Sequence, residues 1–285
     1  MSSHCAATPD LSEKVHDWYA LITRERATQI IEFGPGQWGL LTPEWPVSHA
    51  NNGVLVRHDV GADQLIAMAE ELLAPGGFQH RYIMAMCDLS SETIDGLTAA
   101  GYTCDPELQM VRKLSDDDVH AIDTLIRFVD EPTIRPFNAQ MWRQQWLPTA
   151  SDEAIAQLVG RRDTYTRSAD LISMVVIDPA AAGSLEQVVT AADVVAACDV
   201  AVRDWAAEID GVVTISEKRG NGYGDLLINT ALATARSRGC DYVVLTALAT
   251  DWPQHWYARR GFMNTGPAWV ATKLLGEPTP PQVNS

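Results

Sequence analysis

A glycine-rich turn between a strand and a helix constrains this chain more than any other feature. The stretch I-D-G-V-V-T-I at 209–215 is largely β-branched and predicts a strand. R-G-N-G-Y-G follows at 219–224, and apolar residues at helical spacing from 227 to 235 predict a helix. Glycines let the backbone approach a ligand, and the N–H groups at the start of a helix favour an anion. With Arg219 beside it, this turn predicts a site for a pyrophosphate.

The spacing of the glycines excludes two of the three loop types that bind phosphates in this way. A nucleotide triphosphatase loop needs Lys-Ser or Lys-Thr after its last glycine, and neither pair follows here. A dinucleotide loop needs G-x-G-x-x-G and an acid about 20 residues further on. Here the spacing is G-x-G-x-G, and Asp241 begins the next predicted strand instead of ending it. The third pattern, Arg-x-x-Gly-x-Gly, is filled by Arg219, Gly222 and Gly224.

A second motif follows at 256–262, where the sequence reads W-Y-A-R-R-G-F. The stretch from Arg238 to Leu245 between the two motifs predicts a helix end and a strand. The full order, strand–loop–helix–strand–helix–GF–strand, resembles the Gcn5-related N-acetyltransferase (GNAT) superfamily. The resemblance implies an α/β (α+β) fold with a central mixed, twisted sheet flanked by helices. It also implies transfer of an acyl group from acyl-coenzyme A to an amine by direct attack.

The resemblance assigns residues to acetyl-coenzyme A, the expected co-substrate, and implies no metal. In the superfamily the loop holds the pyrophosphate, and the strand before it offers backbone N–H groups to the pantetheine arm and thioester. Where many members have Asn, seven residues before the tyrosine, this sequence has Thr250, and Pro253 also departs from the pattern. The residues expected at the cofactor are Val212, Val213, Thr214, Arg219, Gly220, Asn221, Gly222, Tyr223, Gly224, Asp225 and Thr250.

The same resemblance suggests the residues that move protons. Tyr257 matches the tyrosine that lies near the thioester sulfur, and we expect it to act as the general acid. A carboxylate nine residues before the loop arginine is often the base, and that residue is Asp210. Glu208 lies two residues earlier on the same face of the strand and is the other candidate. Alternatively, both carboxylates are solvent-facing charges or bind the ammonium group of a substrate.

The acceptor site is expected in the segment 128–148. Trp142 and Trp146 are four residues apart and would share one face of a helix. Together with Asp130, these aromatic rings could hold an organic cation. The alternative is that both tryptophans pack against the N-terminal half.

The first half of the chain shows a fainter version of the same pattern. Gly101-Tyr102 followed by Met110-Val111 resembles the end of a GNAT domain, but residues 1–115 contain no Arg-x-x-Gly-x-Gly loop. We therefore expect two GNAT-like domains in tandem. Residues 1–115 would be a degenerate domain that does not bind coenzyme A in the usual way, 116–275 the catalytic domain, and 276–285 a flexible tail. Periodicity further predicts helices over 11–33 and 115–128, and a strand–connection–strand unit with the connection at 178–190.

The composition limits the classes of partner that the protein is expected to bind. Among 285 residues, 37 are acidic and 21 basic, and the net charge of −16 disfavours nucleic acid and anionic lipid while favouring cationic or neutral molecules. No apolar stretch approaches the ~18 residues of a membrane span, and the first residues lack the apolar core of a signal peptide. Five scattered cysteines without a C-x-x-C pair favour reduced thiols in a cytoplasm.

Three functions stay open at this point. The first is an N-acyltransferase acting on a small-molecule amine, working as a monomer or homodimer. The second is the same fold with aminoacyl-tRNA as the acyl donor, which the acidic composition disfavours. The third is a non-catalytic protein that binds coenzyme A.

Overall fold

The computed structural model describes residues 7–119, 121–181 and 189–275. The tail predicted at 276–285 lies outside the described residues, as do Cys5 and residues 182–188 of the connection predicted at 178–190. We call residues 7–113 the N-terminal half and the described residues from 116 onward the C-terminal half.

The described residues form seven α-helices and eleven strands. The helices are α1 (Pro9–Arg26), α2 (Ala62–Leu73), α3 (Ser91–Ala99), α4 (Glu131–Met141), α5 (Asp152–Gly160), α6 (Tyr223–Ser237) and α7 (Pro253–Ala258). The strands are β1 (Gln29–Gly34), β2 (Gln37–Leu41), β3 (Gly53–Val56), β4 (His80–Ala85), β5 (Thr103–Lys113), β6 (Ile126–Val129), β7 (Asp170–Ile177), β8 (Val194–Arg203), β9 (Ala206–Thr214), β10 (Tyr242–Leu248) and β11 (Met263–Leu274).

All eleven strands belong to one mixed sheet with the order β1-β2-β3-β4-β11-β5-β10-β9-β8-β7-β6. The pairs β3/β4 and β9/β10 are parallel, and the other neighbours are antiparallel. Helices cover both faces: α1 and α4 pack on one, and α2, α3 and α6 pack on the other. The predicted fold class, a central mixed sheet flanked by helices, is confirmed. Within the described ranges, no helix combines the length and apolar character that crossing a membrane requires.

The two halves exchange their last strands. The final strand of the chain, β11, lies between β4 and β5 of the N-terminal half. Reciprocally, β5 lies between β11 and β10. Each half has one parallel pair joined by a helix, β3–α2–β4 and β9–α6–β10. The halves differ at their beginnings: the N-terminal half starts with the single helix α1, whereas the C-terminal half starts with the strand β6 and the two helices α4 and α5. The sequence boundary at 115/116 stays a prediction, and in the sheet the halves are interlocked.

Two predicted helices are wrong in part. The helix expected over 11–33 ends at Arg26, and its last segment is β1, whose Ile30 and Ile31 pair with β2. The helix expected over 115–128 is a single turn at Asp116–Asp118, followed by β6, which pairs with β7. Ser115 does cap that turn through Asp118, but the segment then completes the edge of the sheet. In both cases pairing with a distant strand outweighs the local signal.

The C-terminal end of α1 ties the halves together through an ion pair. Arg26 is paired with Glu208 of β9, and these side chains are only 12% and 10% exposed. The guanidinium of Arg26 also lies 3.8 Å from the ring centroid of Tyr165. Because Arg26 belongs to α1 and Glu208 to the C-terminal half, neither charge is balanced unless the halves are joined.

We therefore expect Arg26→Met to lower the free energy of unfolding by on the order of 3 kcal/mol, since it leaves the Glu208 carboxylate buried without a cation. Adding Glu208→Gln should recover part of this loss, because the unbalanced charge is then gone. Urea denaturation of the wild type, both single variants and the double variant measures the coupling. A double variant no more stable than Arg26→Met would show that the pair does not support the interface.

Candidate functional site

The predicted loop lines one end of a cavity. Gly220 and Gly222 both have a φ of 80°, a left-handed conformation that favours glycine. A Cβ atom added at either glycine would meet nothing within 4 Å, so both positions face open space. The Asn221 side-chain amide donates to the carbonyls of Lys218 and Arg219, at 2.9 and 3.4 Å, and closes the turn from within.

The loop leaves a row of donors without acceptors. Among the described residues, none accepts a hydrogen bond from the backbone N–H groups of 220–225, whereas the N–H of Leu226 already bonds to Gly222 at 3.0 Å. These groups stand at the N-terminus of α6, a helix of 15 residues, where the helix dipole is positive. Free N–H groups at a positive helix end are suited to hold an anion.

Gly224 has a different role from the two glycines before it. A Cβ at this position would lie 3.3–3.4 Å from the ring of Trp256, so glycine allows α7 to pack closely on the start of α6. The Trp256 indole N–H donates to Asp225 at 3.0 Å, and the Arg260 guanidinium lies 4.1 Å from the centroid of the Trp256 ring. Arg260 also pairs with Asp225. The Asp225 carboxylate is therefore occupied by α7 and its end, while its backbone N–H stays free.

Two basic side chains flank the loop, and each has a partner. Arg219 donates to the Gln145 side-chain oxygen at 2.8 Å and reaches the carbonyl of Thr214 at 3.4 Å. Lys218 forms an ion pair with Asp178 at 2.6 Å. Both side chains line the cavity, so they add positive charge beside the free N–H groups. Sequence reasoning missed Gln145, since no motif contains it and its contact depends on the turn that follows α4.

Strand β9 bends away from the sheet next to this loop. Its parallel pairing with β10 stops at Glu208, although the strand continues to Thr214. Gly211 has a φ of 62° and supplies one extra residue relative to β8, which is a β-bulge. The bulge reverses the alternation, so that Ile209 packs under α6 whereas Val213 packs under α4. Beyond the bulge, β9 has a free edge on its β10 side, and that edge faces the cavity.

The cavity measures about 1120 Å³. It joins the loop, the free edge of β9, the turn after α4 and the exposed side of α7. Its walls are Gln144, Gln145, Trp146, Pro148, Val212, Val213, Thr214, Ser216, Lys218, Arg219, Gly220, Gly222, Tyr223, Gly224, Asp225, Asp251, Trp252, Pro253, Trp256 and Tyr257. Trp252, which is 61% exposed, was not predicted at the site, and no spacing in the sequence distinguishes it from a surface tryptophan.

Tyr257 lies at the inner end of the cavity and is only 8% exposed. Its ring packs against Trp256 and Phe262, with centroids 4.8 and 5.8 Å away. Burial raises the pKa of the Tyr257 hydroxyl above its usual value, and the nearby Cys198 and Asp210 add to the effect. The hydroxyl therefore keeps its proton at neutral pH and can donate it.

The two candidate bases differ in their surroundings. Asp210 accepts hydrogen bonds from the Tyr165 hydroxyl at 2.9 Å and from the N–H of Gly211 at 2.7 Å, and it is half-buried at the bulge. Glu208 is paired with Arg26. Burial raises the pKa of Glu208, and the guanidinium of Arg26 only partly offsets this effect. Neither carboxylate lines the cavity itself, and both lie on the opposite face of the sheet, under α1.

Residues 140–262 match the family described as Acetyltransferase (GNAT) family. The segment includes the loop, the free edge of β9 and Tyr257. Residues 140–262 therefore form a GNAT domain. The resemblance seen in the sequence is confirmed.

Solved structures with the same fold extend over nearly the whole chain. A conserved protein of unknown function from Staphylococcus epidermidis is 16% identical, with a TM-score of 0.63, over 86% of this chain and 94% of its own. A candidate acetyltransferase from the GNAT family of Novosphingobium aromaticivorans is also 16% identical, with a TM-score of 0.56, over 93% and 98%. A GCN5-related N-acetyltransferase from Sphaerobacter thermophilus is 12% identical, with a TM-score of 0.51, over 98% and 97%. At these identities the likeness concerns the fold. A search of curated proteins found no match.

Besides Glu208 and Asp210, four of the residues predicted for the GNAT domain do not line the cavity. Asn221 braces the loop from within, and Thr250 is exposed just before α7. Asp130 caps α4 by accepting from the N–H of Thr133 at 3.1 Å. Trp142 packs edge-on against Trp146, with centroids 4.9 Å apart, and only Trp146 reaches the cavity. Trp146 also packs on the core formed by α4 and Val213.

The equivalent loop of the N-terminal half, between β3 and α2, contains a carboxylate of its own. The Asp59 carboxylate accepts from the N–H groups of Gly61 and Ser90, each at 2.9 Å, and from the Thr93 hydroxyl. Burial raises the pKa of Asp59, but these hydrogen bonds outweigh it and hold the pKa below its usual value. Asp59 thus takes one N–H of the loop, that of Gly61, and places a fixed negative charge beside the N-terminus of α2.

Within the described ranges, no group of three or more His, Cys, Asp or Glu side chains is placed to hold a metal ion. The four cysteines there are free thiols: Cys87, Cys104, Cys198 and Cys240.

Proposed function

We propose that this protein transfers an acyl group, acetyl in the simplest case, from coenzyme A to the amine of a small molecule. The row of unpaired N–H groups from 220 to 225, open to a cavity that ends at Tyr257, carries the proposal. The residues fit the co-substrate, because the glycine positions face open space and the donors lack acceptors among the described residues. The 220–225 amides and Arg219 would hold the pyrophosphate, and the free edge of β9 would hold the pantetheine arm.

The reaction needs a proton acceptor and a proton donor, and the chain offers a group for each. The bound co-substrate supplies an activated acyl group as a thioester. Asp210 takes a proton from the ammonium form of the acceptor, so that the neutral nitrogen can attack the acyl carbon. The C–N bond forms while the C–S bond breaks, and Tyr257 gives its proton to the departing sulfur. The nitrogen then releases its second proton, which restores the Tyr257 hydroxyl. Asp210 suits the role better than Glu208, since Glu208 is held in the ion pair with Arg26.

The first prediction concerns the loop. We expect the protein to bind one acetyl-coenzyme A per chain, because the Asp59 carboxylate bonds to the Gly61 N–H and places a fixed negative charge at the N-terminal loop. Gly222→Ala forces a side chain into a left-handed conformation and should weaken binding by about tenfold. Gly239→Ala is a matched control, since Gly239 has a φ of 85°, equally open surroundings and a place at the other end of α6. Isothermal calorimetry measures stoichiometry and affinity, and thermal unfolding measures stability.

Both glycine variants should lose similar stability, and only Gly222→Ala should lose affinity. Two bound molecules per chain, or equal affinity in Gly222→Ala and Gly239→Ala, would contradict the assigned loop.

The second prediction concerns the proton donor. Tyr257→Phe should lower kcat by about 10²-fold or more and leave acetyl-coenzyme A affinity nearly unchanged, because only the hydroxyl is lost. Tyr102→Phe serves as the control, since Tyr102 is also a buried tyrosine with a raised pKa but lies in the N-terminal core. Thiol release measured with an amine panel gives kcat. Because the pKa of Tyr257 is raised above its usual value of 10, its ionisation should cause no loss of activity below pH 10.

The third prediction concerns the base. Asp210→Asn keeps an acceptor for the Tyr165 hydroxyl but removes the negative charge, so kcat/KM for the amine should fall at neutral pH. The loss should shrink as the pH approaches about 10.4, where an alkylamine loses its proton unaided. The pH profile of kcat/KM distinguishes this role from a structural one, for which the defect would not shrink with pH.

A further inference from the structure

An open groove crosses the α1 face of the sheet where β9 and β10 separate. Strand β10 is the seventh of eleven, yet Thr246 near its end is exposed. Thr246 pairs in register with Gln109 of β5, and Leu248 pairs with Glu107. On its other side β10 has lost its pairing with β9, which ends at Glu208. Strands β5 and β10 therefore form a floor that is open to solvent at Thr246, beside the Tyr19 hydroxyl of α1.

Glu107 is a carboxylate in this groove without a partner. It is half-buried, and no described residue forms a hydrogen bond or ion pair with it. Burial and the nearby Asp105, on the same face of β5, raise the pKa of Glu107 to about 7. Because partly burying an uncompensated carboxylate is unfavourable, the site favours a ligand that brings a positive charge.

Gln109 gives a second, independent indication. Its side chain is only 3% exposed, and it lies two residues from Glu107 on the same face of β5. Its side-chain oxygen is buried and has no hydrogen-bond donor among the described residues. Buried acceptors are normally hydrogen-bonded. Two neighbouring acceptors without donors therefore predict a ligand that supplies N–H groups.

The charges around the groove also favour a cation. The Tyr82 hydroxyl lies near Asp105, Glu107 and the Arg161 guanidinium. At the far end, Tyr165 donates to Asp210. Glu208 and Arg26 balance each other. Arg162, which lies near Asp210, is balanced by Asp199. The remaining three carboxylates (Asp105, Glu107 and Asp210) face one guanidinium, Arg161, so the groove carries a net charge of −2 when all are ionised.

The groove also has a minimum length. Glu107, opposite Leu248, lies on β5, two strands from β9. Two paired strand spacings span roughly 10 Å. Because β9 and β10 separate beyond Glu208, the backbone at Glu107 lies further than this from the β9 edge where the acyl group would lie.

We propose that the acceptor is an amine with a second cationic nitrogen, and that Glu107 and Gln109 bind this second nitrogen while the first reacts near Asp210. The inference rests on the acyl transfer proposed above. It also gives the N-terminal half a role, since β5 reaches the groove only through the strand exchange. Glu107 is then a specificity-determining residue for the acceptor and takes no part in proton transfer.

The wild-type protein should distinguish between three amines of equal chain length in the presence of acetyl-coenzyme A. We expect kcat/KM for 1,6-diaminohexane to exceed that for hexylamine by about tenfold or more, and 6-aminohexanoate to be the poorest acceptor, because its carboxylate would face Glu107. Thiol release measures the rates. Equal or better use of hexylamine would overturn the proposal.

Variants that remove one negative charge test whether Glu107 causes the preference for the diamine. Glu107→Gln should raise KM for 1,6-diaminohexane by about tenfold or more, while kcat, the constants for hexylamine and the affinity for acetyl-coenzyme A stay the same. Glu71→Gln is the control, because Glu71 is exposed on α2, on the other face of the sheet. An unchanged KM in Glu107→Gln, or an equal loss with both amines, would overturn the role of Glu107.

A binding measurement separates this inference from the proposed reaction. Calorimetry with the protein saturated with coenzyme A follows 1,6-diaminohexane without turnover. Binding that weakens in Glu107→Gln and not in Glu71→Gln supports the groove even if no thiol is ever released, an outcome that would contradict only the reaction. Thiol release without any dependence of diamine binding on Glu107 would contradict only the groove.

Discussion

The interlocking of β5 and β11 is the constraint on which the rest of the molecule depends. With β11 placed between β4 and β5, and β5 between β11 and β10, the N-terminal half cannot complete its sheet without the last strand of the chain. Hydrogen bonds of both strands are then shared between halves, so the sheet is continuous across them. The Arg26–Glu208 pair adds a charge interaction on the α1 face of this join. The geometry of the site depends on this arrangement, because β10 is held between one strand from each half.

The second feature that determines the geometry of the site is the early end of the pairing between β9 and β10. Parallel strands β9 and β10 bond to each other over only three residue pairs, and the bulge at Gly211 turns the rest of β9 outward. The separation opens both faces at the same point. On the α6 side it makes the cavity that runs from the loop to Tyr257, and on the α1 side it makes the groove at Thr246. In the proposed reaction the acyl donor would therefore approach from the α6 face and the acceptor from the α1 face, where Asp210 lies.

The sequence predicts the loop, the order of elements around it and the position of Tyr257, because these depend on local signals such as glycines at fixed offsets and the apolar stripe of α6. The sequence does not predict the strand exchange, because β11 follows β10 in the chain but is separated from it in the sheet by β5. No local signal in the sequence indicates this pairing. The sequence pattern also wrongly predicts a helix at β6, because four residues at a sheet edge carry little periodicity. Gln145 and Trp252 were missed for a related reason: their contacts with the cavity are set by the turns after α4 and before α7.

The two halves share one structural unit but differ in its loop. Each contains a parallel β–α–β unit, but the N–H groups of the C-terminal loop are free, whereas the Asp59 carboxylate binds the Gly61 N–H of the N-terminal loop. A fixed carboxylate in place of a phosphate stabilises the turn, and it also excludes any other anion by charge. The N-terminal half keeps its sheet because β4 and β5 enclose β11, and β5 forms the floor of the groove beside β10. The N-terminal half thus contributes a strand to the site without an open anion-binding loop of its own, and Glu107 on that strand is where such a contribution would act on specificity.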